Sequence, residues 1–159
     1  METINVVIET PKGSAQKYDY DKKTGFFKLK KILPAGMVFP YDFGFVPNTK
    51  GEDGDPLDVL VFSEFCSFPG CMIKCRIIGG IKAEQSKEAG SKTKIRNDRF
   101  FAIPTESSFL KKIKEISDLP KDIITEIQDF FITYNKIQNK IFTPIKILTS
   151  KEAIKLLSK

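Results

Sequence analysis

The chain has 159 residues, 41% hydrophobic and 29% charged, a balance that suits one folded domain with its own core and excludes a disordered chain. It contains no histidine, which removes Ser-His-Asp and Cys-His chemistry, histidine bases and histidine metal ligands together. The net charge of +6, from 26 Lys+Arg against 20 Asp+Glu, draws anions.

In chain order, Ile4-Asn5-Val6-Val7-Ile8-Glu9-Thr10 is β-branched and ends at Pro11-Lys12-Gly13, a strand followed by a turn. Lys17-Tyr18-Asp19-Tyr20 and Phe26-Phe27-Lys28-Leu29-Lys30 flank Lys23-Thr24-Gly25 and predict a hairpin. Leu57 to Phe62 is a dense strand, and residues 72–81 form another, with a kink or bulge at Gly79-Gly80. Residues 83–97 are polar and lysine-rich and are expected to form a mobile loop over a site. Phe100-Phe101-Ala102-Ile103-Pro104 resumes as a strand.

The period then changes. Ile123, Ile124, Ile127, Phe130, Phe131, Tyr134 and Ile137 recur at three- and four-residue spacing, which predicts a helix over about 120–139 with Pro120 near its first turn. Thr149-Ser150-Lys151-Glu152 has the form of a capping box and predicts a short helix to Leu157. Many short strands with appended helices point to a mainly β, α+β domain over residues 1–159, built as an OB-like barrel. No uncharged apolar run approaches the roughly 18–20 residues a membrane helix needs, and METINVVIETPKG lacks a basic-then-apolar leader. Cys66, Cys71 and Cys75 form no C-x-x-C pair. We expect reduced cysteines, a cytoplasmic location and no membrane partner.

The most informative stretch is Glu52-Asp53-Gly54-Asp55-Pro56-Leu57-Asp58, where Gly54 and Pro56 impose an irregular backbone just before a strand. Two unscreened carboxylates about 4 Å apart repel by about 4 kcal/mol at an effective dielectric near 20. A fold that converges three of them needs a cation or a shared proton. Oxygen ligands without histidine favour Mg²⁺ or Mn²⁺. The basic run that follows carries eight Lys and Arg between Lys74 and Arg99, against Glu84, Glu88 and Asp98. An acidic knot beside a basic stretch opposes a nucleic-acid track, which the knot would repel, and suits cations held between carboxylates and a phosphate anion.

The order and spacing of these segments resemble the soluble (family I) inorganic pyrophosphatases. The resemblance runs through Val6-Val7-Ile8-Glu9, Lys17-Tyr18-Asp19, residues 39–47, the 52–61 block, Pro69-Gly70, residues 75–79, Ser117-Asp118-Leu119-Pro120 and residues 130–134. It implies a five-stranded OB-like barrel, Mg²⁺ dependence, hydrolysis of pyrophosphate to two orthophosphates, and a homo-oligomer. By that resemblance Asp53 and Asp58 ligate metal and Asp55 takes the proton of the attacking water. Glu9 and Asp19 match further acidic positions, and Lys17 and Lys31 neutralise phosphoryl oxygens, Lys31 standing where arginine is usual. Phe43 stands where a phosphate-contacting tyrosine is usual. Tyr134 matches a phosphate-binding tyrosine, although its place on the apolar helical stripe fits a core residue equally well. Asn135 replaces an expected lysine.

The 84–99 region departs most. Anchored on the strand at residues 100–104, Arg99 takes the place of a lysine, and Asn97 or Asp98 that of a metal-binding aspartate. Glu84 and Gln85 stand near the position of a second aspartate, and residues 87–94 belong to an enlarged loop. Asp98 faces away in a regular strand, so its participation requires a bulge. These changes keep open a weakened or inactive member of the fold that binds phosphate without cleaving it.

Overall fold

The computed structural model describes residues 2–158. Strand β1 (Thr3–Thr10) pairs antiparallel with β4 (Asp42–Phe45), and β4 with β5 (Asp58–Val61). β5 runs parallel to β8 (Arg99–Pro104), β8 pairs with β6 (Met72–Ser86), and β6 returns to β1. These five strands form the closed ring expected of an OB-like barrel, which leaves no open edge within it. The hairpin of β2 (Gln16–Asp21) and β3 (Phe26–Ile32) is a separate two-stranded sheet.

The barrel strands are apolar on both faces because both faces are covered. Leu60, Phe62, Phe101 and Ile103 join Ile127 and Phe131 of helix α1 (Lys121–Ile137) in one core. Their sequence neighbours Val59, Val61, Phe100 and Ala102 belong to a second, which includes Ala153 of α2 (Ser150–Leu157). Strand alternation thus divides each segment between two cores. Phe39 contacts Phe43, Phe130 and Tyr134 with ring centroids 5.2–5.7 Å apart, tying the β4 entry to α1. Such pairs contribute about 0.5–1.5 kcal/mol each beyond their buried area.

Helix α1 begins directly after Pro120, its N-cap, as the sequence leads one to expect. Helix α2 opens with the reciprocal capping box of Thr149 and Glu152, a device worth about 1 kcal/mol. β6 is irregular at Gly79, where the register against β8 shifts. Gly79 has φ +146°, and a Cβ there would meet the Leu148 carbonyl oxygen at 2.5 Å, so a side chain is excluded.

Two expectations are corrected. The 83–97 segment is a loop only in its middle: β6 continues to Ser86 and pairs with β7 (Lys94–Arg96), matching Glu84 to Arg96 and Gln85 to Ile95. Gly90 N–H in the connecting turn donates to Asn139 O at 2.7 Å, fastening the turn beyond α1. The second is β9 (Phe142–Thr149), which the sequence reading leaves without structure and which pairs with β6 along Gly79–Gln85. Pro144 lies where that pairing shifts register, the place a sheet tolerates a missing N–H. No helix among the described residues is long and apolar enough to cross a membrane.

Candidate active site

A cavity of about 510 Å³ opens between the β2–β3 hairpin, the 51–58 loop, the end of β6 and the last turns of α1. The loop is shaped by its own backbone: Gly51 N–H donates to Asp55 O at 2.7 Å, and Gly54 adopts φ +87°. Leu57 N–H donates to Thr49 Oγ1 at 2.9 Å, so the chain enters β5 in a set direction. Asp53, Asp55 and Asp58 all line the cavity as a result. They share the space without closing on one point: among the described residues no three acidic or thiol side chains converge into a ready metal cluster. The expectation of a tight three-aspartate cage is corrected to that extent.

Burial raises the Asp53 carboxyl, opposed by the hydrogen bond from the Asp55 N–H and reinforced by the Asp55 charge. Burial pushes Asp58 up to about 6, against the pull of Arg99 and Lys17. A cation relieves both strains, and the Asp53 and Asp58 carboxylates are the oxygen donors that a hard divalent ion keeping part of its water takes. Asp53 Oδ1 also accepts from Asp55 N–H at 3.1 Å.

The opposite side is basic and internally balanced. Lys17 Nζ donates to Asp19 Oδ1 at 2.5 Å, to Tyr18 O at 2.8 Å and to Glu9 Oε2 at 3.3 Å, and sits 5.0 Å from the Phe43 ring centroid. Burial raises the Glu9 carboxyl, with Lys17 opposing. Burial would raise Asp19 as well, but Lys17 and then Lys30 prevail and hold it low. Lys30 pairs with Asp19, and that hydrogen bond keeps its ammonium charged. Lys31 is not among the lining residues; its Nζ lies 4.6 Å from the Tyr134 ring centroid, and burial with Lys30 and Lys17 nearby lowers it to about 8. Burial and then Asp19 push the Tyr134 phenol up to about 12, which keeps it a hydrogen-bond donor.

Lys30 is a lining residue that the sequence reading does not single out. The β2–β3 register slips between Lys17 and Tyr18, pairing Lys17 with Lys31 and Tyr18 with Leu29, so Lys30 is an extra, bulged residue. The Lys30-Lys31 doublet, breaking strand alternation, is the available signal. Lys140 also lines the cavity, brought there by the turn after α1.

The third side comes from β6, β7 and β8. Asp58 and Arg99 are neighbours in the parallel β5–β8 pairing, and Arg99 Nη1 lies 2.6 Å from Asp58 Oδ2. Arg99 is 4% exposed, its guanidinium carbon 4.9 Å from the Phe131 ring centroid and 5.5 Å from that of Phe142. It also donates to Asn97 Oδ1, while Asn97 Nδ2 donates to Asp53 Oδ2 at 3.2 Å. Asn97 and Asp98 form the link between β7 and β8 and point to different sides. Asn97 shares the face of Arg99 and Phe101, whereas Asp98 shares that of Phe100 and is turned away from the cavity. Asp98 accepts from Ala83 N–H at 3.1 Å and pairs with Arg96 at 2.8 Å. Asp98 is therefore corrected as a cavity residue. So is Glu84, which does not line the space; its neighbour Gln85 does. Tyr41 does not line the cavity and packs on Phe62 with centroids 4.3 Å apart.

A family model described as inorganic pyrophosphatase matches residues 6–159. The chain belongs to the inorganic pyrophosphatase family. The inorganic pyrophosphatase of Thermus thermophilus is 38% identical over 139 residues, covering 87% of this chain and 75% of that one. That of Halalkalibacterium halodurans is 39% identical over 139 residues, 87% of this chain and 81% of the other. Among solved structures, the Thermus thermophilus inorganic pyrophosphatase overlays with a TM-score of 0.89 at 34% identity, over 99% of this chain and 88% of that chain. The Coxiella burnetii inorganic pyrophosphatase gives 0.88 at 30% identity, over 99% and 92%. Within this pyrophosphatase fold, the acidic loop keeps all three aspartates on the cavity, while the β6–β8 side presents Gln85, Asn97 and Arg99.

Proposed function

We propose that this chain is an inorganic diphosphatase that hydrolyses pyrophosphate to two orthophosphates with Mg²⁺, or Mn²⁺ in its place. The observation that carries this reading is the meeting, in one cavity, of the carboxylates of Asp53, Asp55 and Asp58 with the cations of Lys17, Lys30 and Arg99. A diphosphate anion needs both kinds of group: cations along its oxygens and carboxylates that retain the divalent ions it brings.

In this reading Asp53 and Asp58 hold a cation, which when bound polarises phosphoryl oxygens and acidifies water. Asp55, exposed on the loop and free of the Arg99 pair, accepts the proton of the attacking water. Lys17, Lys30, Lys31 and Arg99 fix the phosphoryl oxygens, and the Tyr134 hydroxyl donates to one of them. Phe43 supplies no hydroxyl; its ring backs Lys17 and Arg99 instead. Glu9 and Asp19 hold Lys17 in place and border the space that a substrate-borne ion would fill.

Residues 1–159 act as one functional unit in this reading, cytoplasmic in keeping with the free Cys66, Cys71 and Cys75, and assembled from identical copies, a state that light scattering on the purified protein measures. The test of activity is phosphate release from Mg–pyrophosphate beside an EDTA control. Release that EDTA abolishes is expected; no release at saturating Mg²⁺ would reject the enzyme. A second reading, phosphate binding without turnover, is favoured by one observation: Gln85 and Asn97 bring neutral amides to the cavity. Pyrophosphate binding in calorimetry without phosphate release would select it.

A further inference from the structure

The charges around the cavity divide into two groups. Glu9 and Asp19 are matched by Lys17 and Lys30, to which they are directly paired, so that cluster is neutral by itself. Asp21 is paired with Lys28, and on the 51–58 side stand Asp53, Asp55 and Asp58, of which Asp58 is paired with Arg99. Among the described residues neither Asp53 nor Asp55 has an ion-pair partner, so two carboxylate charges stand unpaired on this side, while Lys22, Lys23 and Lys140 line the rest of the cavity.

Arg99 is also held where it is. Its Nη1 faces Asp58 Oδ2 at 2.6 Å, Asp98 O at 3.1 Å and the Asn97 Oδ1 atom, an all-oxygen surround of the kind a hard cation takes. Aromatic rings from β4, α1 and β9 enclose the guanidinium, and its buried Nε has no hydrogen-bond partner. The wall that carries it adds no carboxylate to the cavity: Gln85 and Asn97 are amides, and Asp98 is committed to Arg96 and Ala83 on the other face.

We propose that Arg99 is a resident cation, filling between Asp58 and Asn97 a position that would otherwise take a metal ion, so that the substrate-free protein binds one divalent ion per chain in this cavity. Further ions enter only with the phosphate oxygens of the substrate. Arg99 is then a positioning residue for the metal as well as a phosphate contact. The inference rests on the diphosphatase reading for the identity of the cavity, but it concerns ion binding before any reaction.

The experiment is calorimetric titration of the full chain with MnCl₂ and with MgCl₂ in the absence of pyrophosphate, with Mn²⁺ electron paramagnetic resonance as an independent count. One ion per chain is expected for the wild type and for Arg99→Lys, which keeps the charge. Asn97→Asp, nearly isosteric, restores a carboxylate beside Arg99 and is expected either to add a second ion or to tighten the first by about tenfold. Arg99→Gln is expected to add a second ion; Asn97→Asp keeps the question answerable if that variant does not fold. Two ions in the wild type overturn the proposal, as do unchanged count and affinity in both Asn97→Asp and Arg99→Gln. One ion without phosphate release from the wild type would reject the diphosphatase reading and leave Arg99 in this role. Two ions with phosphate release would do the reverse.

Discussion

The 51–58 loop and the β6–β8 wall face each other across the same cavity and acquire their functional groups in different ways. The loop is locally determined: Gly54 at φ +87° and the Gly51–Asp55 backbone bond turn the chain, and the aspartates follow from their places in it. The wall is determined by pairing. Which of Gln85 or Glu84 reaches the cavity depends on strand parity, where a shift of one residue exchanges every side chain, and Asn97 and Asp98 are set by the link from β7 into β8. The loop presents acids; the wall presents amides and one arginine. Chemistry carried by a tight turn is thus more local, and chemistry carried by paired strands changes with the sheet.

Four measurements would break or sharpen that contrast. Asp55→Asn, on the loop, should lower kcat by about 10²-fold or more with the fold intact by circular dichroism, since it removes the proposed base. An unchanged kcat would take the proton transfer away from the loop. Next, Asp58 holds a proton below about pH 6, so an incoming ion must displace it. Mg²⁺ affinity should therefore fall as the pH drops below 6, approaching about tenfold per pH unit, and Asp58→Asn should remove the dependence.

A smaller effect is expected at Lys31, whose ammonium is charged below about pH 8 and neutral above it. kcat/KM for pyrophosphate should decline severalfold as the pH rises through 8. Lys31→Arg should move that limb upward, because a guanidinium keeps its charge. An identical limb in the variant would assign the titration to another group. The smallest effect belongs to Asp98→Asn, which weakens the bonds to Arg96 and Ala83 on the far face. It should cost about 1–2 kcal/mol of stability, a few degrees in Tm, and leave Mg²⁺ binding as it was. A loss of metal affinity there would mean that Asp98 and not Asn97 turns inward.

Much of this was legible before the fold was known. The helix after Pro120 follows from a three-and-four spacing, the Thr149–Glu152 cap from two residues three apart, and the β2–β3 hairpin from alternation around Lys23-Thr24-Gly25. β9 was not legible. Its Pro144 and Lys146 interrupt the apolar pattern, and pairing with the long strand β6 draws the segment into the sheet. Residues 83–97 misled in the opposite sense: their lysines suggested a loop because a hairpin projecting from a barrel leaves one face solvated. Lys30 was hidden by its neighbour, since a bulge puts an extra residue beside Lys31 and the alternation rule counts only one of them.

The sequence by itself determined the acidic loop and the helical face of Tyr134, because each rests on residues within one turn or one period of each other, and its order of short strands pointed to the barrel class. The tertiary structure alone decided that Arg99 meets Asp58, that Asn97 faces in while Asp98 faces out, and that Lys30 and Lys140 reach the same space. Those contacts join residues up to dozens of positions apart, and closure of the sheet into a ring is what sets their register.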